Sequence, residues 1–146
     1  MTTADLHIWA GIAVIASSLI AGLWGGAAWL RRRPSVTFWY LLRTAQALIL
    51  AQVLIGTALI LTGRESPDGL HYVYGLLPVL ASFLGEGARV GVAERELEGL
   101  DFDALPDARR REIALAISRD EIGIMTLSML VVFGLALRAG AVAGGI

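Results

Sequence analysis

The sequence predicts an all-α polytopic membrane protein, an antiparallel bundle of four transmembrane helices forming a single domain over 1–146. Three observations carry this. The 146 residues are 56% hydrophobic, with a mean hydropathy of +0.68, which no ordinary soluble domain of this size reaches. Four apolar runs, approximately 6–30, 37–62, 70–92 and 122–139, each approach or exceed the roughly 20 helical residues that a hydrocarbon core of about 30 Å requires. The connections between the first and second runs and between the second and third are short, which makes successive helices antiparallel.

The first run is too long for a signal peptide and lacks a small-residue cleavage pattern, so it is expected to remain in the mature protein. Thr2 or Thr3 can cap it, and it should end near Arg31 to Pro34. Thr62-Gly63 closes the second span, and Ser66-Pro67-Asp68 reads as N-cap, first-turn proline and early acid of the third. The segment from Glu94 to Ile113 is acidic first and basic later. Pro106-Asp107 is expected to open a helix that continues into the fourth span, giving a helical hairpin over about 93–121 whose two arms pair their charges.

Cysteine is absent, which excludes disulfides, iron–sulfur clusters, thiolate-bound zinc and c-type haem attachment. All 12 basic residues are arginine, a usage that suits a GC-rich bacterial genome. Arg31, Arg32 and Arg33 lie in the first connection, and Arg89, Arg95, Arg109, Arg110, Arg111 and Arg119 in or around the third. Only Arg64 and Arg138 fall on the opposite side. The positive-inside rule then predicts a bacterial cytoplasmic membrane protein with both termini outside.

The two histidines stand in one repeated pattern, Leu6-His7-x-x-x-Gly11 and Leu70-His71-x-x-x-Gly75, and Ser18 and Ser82 each follow their histidine by eleven residues. An imidazole can bind haem iron, and a glycine at i+4 leaves room for a flat macrocycle against the helix. Topology places both histidines near the fifth residue of parallel helices, at equal depth by the outer boundary and on diagonal positions of a closed bundle. Below them run Gly11, Val14, Ser18, Gly22 and Gly25 on the first helix, and Gly75, Pro78 and Ser82 on the third. Arg64, or Arg138, is placed to pair with a propionate, and Tyr72, Tyr74 and Trp9 to pack on a porphyrin edge. Histidine, tyrosine and tryptophan are also ordinary residues of a membrane interface, so a haem-free reading stands beside this one.

The arrangement resembles one four-helix half of a haem A synthase and other small bis-histidine b-type membrane cytochromes, through its topology and through residues 6–11 and 70–75. In those families paired histidines near one membrane face ligate haem b. A synthase also has a second histidine pair and an acidic residue near the reacting haem. This chain has no further histidine and no carboxylate in the outer half of any span, so the resemblance implies haem binding without haem-modifying catalysis.

At the other end, Arg43, Gln46, Glu86, Arg89, Asp120 and Glu121 form a polar cluster, expected to be an interfacial ion-pair network or else a proton path or quinone-head site. Gln52 should hydrogen-bond inside the bundle or bind a ligand. Gly22, Gly25 and Gly26, with Gly87-x-x-x-Gly91, permit close helix approach within the bundle or across a dimer seam. Met125 and Met129 are expected in the core.

The function expected first is a membrane b-type haem protein. His7 and His71 are the iron ligands, and Gly11, Gly75, Arg64, Tyr74, Ser18 and Ser82 surround one haem b. It would act in electron transfer or haem handling, perform no catalysis itself, and serve a quinol or a respiratory complex, as a monomer or homo-oligomer. The alternatives are a haem-free scaffold or accessory subunit, and a small transporter or enzyme built on Arg43, Glu86 and Gln52.

Overall fold

A computed structural model describes residues 2–64, 66 and 68–144. Four helices follow in order: α1 (Thr3–Leu30), α2 (Val36–Leu61), α3 (Leu70–Leu97) and α4 (Asp107–Val142), with a short 3-10 turn at Phe102–Ala104 before α4. Each is long and apolar enough to cross a membrane. The chain is thus an all-α, multi-pass helical bundle. Its large side chains are distributed accordingly: Leu54, Leu61, Phe83 and Leu84 point outward, where lipid rather than water meets them.

Local chemistry sets the helix ends. Thr2 caps α1 in a reciprocal capping box with Asp5, satisfying two backbone donors that the first turn leaves open. Ser35 caps α2 by accepting the Phe38 N–H, and its hydroxyl also accepts Trp24 Nε1 at 3.0 Å. The tight turn before it needs one left-handed residue, and Arg32 takes it at φ 53°. Thr62 and Gly63 (φ 77°) end α2 as expected. The start of α3 differs from the expectation. Its N-cap is Gly69, not Ser66, because the Asp68 carboxylate accepts the Leu70 N–H in a local turn that delays the helix. Pro67, expected in the first turn, lies outside the described residues.

Packing is organised by α4. It lies along both α1 and α3, while α2 packs chiefly on α1 and meets α3 only slightly. The closest approaches use small residues. A side chain at Gly22 would lie 2.6 Å from Leu130, and one at Gly25 would collide with Thr126 and Phe38. Gly85 of α3 faces Ser128 of α4, whose hydroxyl donates across the interface to the Ala81 carbonyl at 3.0 Å. Gly123 of α4 receives Trp29. Around these seams Phe38, Leu42, Ile122, Met125, Met129 and Val132 are fully enclosed, so the methionines are core as expected. Dispersion and close packing hold such an interior, since lipid is as apolar as leucine.

Two expectations are corrected. The short connection between α2 and α3 predicts antiparallel neighbours, yet the two meet only slightly, because the close glycine contacts of α1 and α3 are made with α4 and Phe38. The Gly87/Gly91 pair meets nothing within 4 Å, so it takes no part in internal packing.

α4 has 36 residues, about 54 Å at 1.5 Å per residue, well beyond a hydrocarbon core of about 30 Å. Its charged first turns therefore extend past the apolar zone. The cross-pairing expected of this hairpin is largely absent: Arg109 and Arg110 bond to Glu112 and Asp107 of their own helix. The one ion pair between α3 and α4 among the described residues is Arg89–Glu121.

Replacing Gly25 with alanine should cost about 1–3 kcal/mol through overpacking, read as a lowered Tm in detergent. Gly87→Ala, at an open position, should leave Tm within experimental scatter.

Candidate functional site

At the end of the bundle that carries both chain termini, a cavity of about 530 Å³ is lined by all four helices. That is the size of a small-molecule or cofactor site, and the wall is mostly apolar with a few polar groups converging on it. His7 and His71 both line it, from α1 and α3, which face each other across the bundle. Their ring centres are 6.0 Å apart, and the ring planes cross at 71°. The opened α2–α3 seam provides this space.

The two imidazoles are held differently. His71 Nδ1 lies 3.1 Å from the Ala139 carbonyl of α4. A carbonyl can only accept, so Nδ1 carries the proton, and the Nε2 lone pair is left available. His7 has no backbone anchor. Its Nε2 is 3.3 Å from the Gln52 amide nitrogen of α2, which donates to it. Nδ1 of His7 and Oε1 of Gln52 are buried without partners, two of the four such side-chain atoms among the described residues. Orphaned buried polar atoms are rare and costly, and their presence beside a cavity marks an incomplete site.

Glycines make the arrangement possible. Gly56 on α2 lets the His7 ring approach, since a side-chain carbon there would stand 3.0 Å from His7 Cε1; at Gly11 it would stand 3.1 Å from the Gln52 amide. Gly75 faces open space and lines the cavity. Pro78, also in the wall, has no N–H to give the Tyr74 carbonyl, which therefore lacks its intrahelical donor. Tyr74 itself lines the cavity, and its ring carries the Arg138 guanidinium 5.8 Å from its centre. Tyr72 braces the loop, accepting the Ser66 N–H at 2.7 Å.

Of the residues singled out in the sequence, His7, His71, Gly11, Gly75, Arg64 and Tyr74 border one cavity. Ser18 and Ser82 do not. Ser18 is fully buried and donates to the Val14 carbonyl of its own helix at 2.6 Å, and Ser82 donates to the Pro78 carbonyl. Serine in an apolar span satisfies its hydroxyl within its own turn, and no loop or ligand is needed. Trp9 is exposed and turned away from the site. Sequence reasoning missed Gly56 and the Ala139 carbonyl. Gly56 stands four residues after Gln52, the same i+4 relation as the histidines and their glycines, and that spacing was the available signal. A backbone acceptor leaves no such trace.

The polar cluster at the other end forms as a network. Glu86 accepts from Gln46 at 2.9 Å and Arg89 at 2.7 Å, and pairs with Arg43 at 2.5 Å. Arg89 continues to Glu121 at 3.0 Å and lies 5.4 Å from the centre of the Trp39 ring. Thus α2, α3 and α4 are tied at a level where α2 and α3 otherwise barely touch. Asp120 is exposed and stands outside the network.

No protein-family model, curated protein or solved structure matches this chain. The site therefore has to be read from its own chemistry.

Glu86→Gln should destabilise the bundle by about 1.5–3 kcal/mol, the worth of hydrogen bonds to a charged group. The drop in Tm should shrink as salt is added to the wild type.

Proposed function

We propose that the chain is a membrane-bound b-type haem protein in which His7 and His71 are the axial ligands of one haem near a membrane face. The observation that carries this is the histidine pair itself. The ring centres stand 6.0 Å apart beside a cavity of about 530 Å³ that both histidines line, close enough that two imidazoles with metal bonds of about 2 Å would reach one iron.

The surrounding chemistry supports the same reading. Among the described residues no group of three or more His, Cys, Asp or Glu is assembled. Two imidazoles alone suit a metal that arrives with most of its ligands already supplied by a macrocycle. The wall is apolar, as a porphyrin face requires, and Gly75 keeps it open. Arg64 at the rim offers a guanidinium to a propionate. The Ala139 carbonyl fixes the tautomer and orientation of His71, the usual service of an outer partner to a metal-bound histidine. Haem, once bound, supplies a one-electron couple; the chain supplies ligation, a dry pocket and a charge partner at its edge.

One pair of histidines holds one haem, at one end of spans more than 25 residues long. A single centre there serves as a relay on one side of the membrane, exchanging electrons with a quinol or a respiratory complex, or handling haem itself. The resemblance to one half of haem A synthase extends to this pair and not to catalysis. Arginine placement supports a bacterial cytoplasmic membrane with the histidine end outside.

Protein purified from a haem-supplemented host should show a Soret band, with sharp visible bands on reduction. His7→Ala and His71→Ala should each abolish the six-coordinate low-spin spectrum. A colourless wild type overturns the proposal in favour of a haem-free scaffold, and a low-spin spectrum that survives both substitutions overturns the assignment of His7 and His71 as ligands.

A further inference from the structure

The two histidines are unequal in every respect that bears on ligation. The His71 imidazole is anchored through Nδ1 to a backbone carbonyl of the buried residue Ala139, so its ring is held with Nε2 free. The His7 Nε2, the nitrogen of a helical histidine best placed to reach an iron beyond its own backbone, instead accepts the Gln52 amide. One lone pair cannot serve both a metal and Gln52. The Nδ1 of His7 has no partner among the described residues, so none of them holds the far side of the ring toward the cavity. The Gln52 amide is itself only half satisfied, with Oε1 orphaned, and it lines the same cavity. Gly11 and Gly56 provide the space in which Gln52 and His7 meet.

We propose that this asymmetry is a ligand-exchange device: His71 is the fixed axial ligand, and His7 is an exchangeable one that Gln52 receives when a small uncharged diatomic molecule binds in its place. This rests on the haem reading above and goes beyond it, since it assigns the site an affinity for gaseous ligands that two equally anchored histidines would suppress. In the exchange the coordinate bond from His7 Nε2 breaks as the one to the incoming molecule forms. No electron is transferred, and the neutral imidazole accepts the Gln52 N–H through the lone pair it has just withdrawn. Gln52 is a positioning residue here, acting through His7.

The test uses full-length haem-loaded protein in detergent, reduced with dithionite and titrated with carbon monoxide while the Soret band is followed. The wild type should bind carbon monoxide and lose its six-coordinate bis-histidine spectrum as it does so. Gln52→Leu removes the N–H donor that receives the released imidazole, so apparent affinity should fall about fivefold, the worth of one hydrogen bond. His7→Ala should retain haem as a five-coordinate species and bind carbon monoxide at least tenfold more tightly than the wild type, because no ligand need leave. His71→Ala should lose most of its haem. A coloured wild type that does not bind carbon monoxide overturns this inference alone. So does a Gln52→Leu protein of unchanged affinity, or a His71→Ala protein that keeps haem where His7→Ala does not. A colourless wild type overturns both this inference and the reading beneath it.

Discussion

The close approach of α4 to both α1 and α3 is the constraint from which the rest of the molecule follows. In a lipid environment helices gain little by hiding apolar surface from one another, so association depends on fit. The fit here is made by Gly22 and Gly25 under Leu130, Thr126 and Phe38, by Gly85 against Ser128, and by Gly123 beneath Trp29. All of these contacts except that of Gly25 with Phe38 of α2 involve α4. Because α1 and α3 commit their smallest faces to it, they cannot also close on α2 from both sides. The α2–α3 seam stays open as a direct result, and the cavity is that opening seen from the histidine end.

The polar groups complete what the glycines leave undone. Glu86, held between Arg43, Gln46 and Arg89, draws α2 and α3 together at one end, while at the other no equivalent tie is formed among the described residues. The seam is therefore pinned at one level and wide at the other. Within the cavity at that wide end, His7 meets only the Gln52 side chain of α2, whereas His71 is fastened to the backbone of α4. The inequality of the two histidines is thus a property of the packing and not a local accident of two side chains.

Much of this was legible in the sequence, and the boundary of legibility is physical. Hydropathy and run length gave four spans, and the repeated His-x-x-x-Gly pattern located the two residues that the fold brings within 6.0 Å. Patterns within one helix survive translation into structure because the helical repeat fixes them. Choices between helices do not. Nothing in the short α2–α3 connection revealed that the two helices would part, since that outcome depends on which glycine faces which neighbour. Ser18 and Ser82 matched each other as well as the histidines did, yet both hydroxyls turn back on their own carbonyls. Repetition in sequence at those positions goes with a shared way of satisfying a hydroxyl in an apolar span. The Ala139 carbonyl was invisible in principle, because every residue carries one.

The anchoring of His71 by α4 has a consequence for how the site comes into being. Chain order places His7 in α1, Gln52 in α2 and His71 in α3, so they are synthesised in that sequence. The wall formed by Ala136, Ala139, Gly140 and Ala143, and the carbonyl that orients His71, come last. A nascent chain with three helices inserted has both imidazoles and neither a closed cavity nor a fixed tautomer. Packing of α4 against α1 and α3 is then the event that walls the cavity and sets the orientation of His71, so both features depend on a helix made after the two imidazoles.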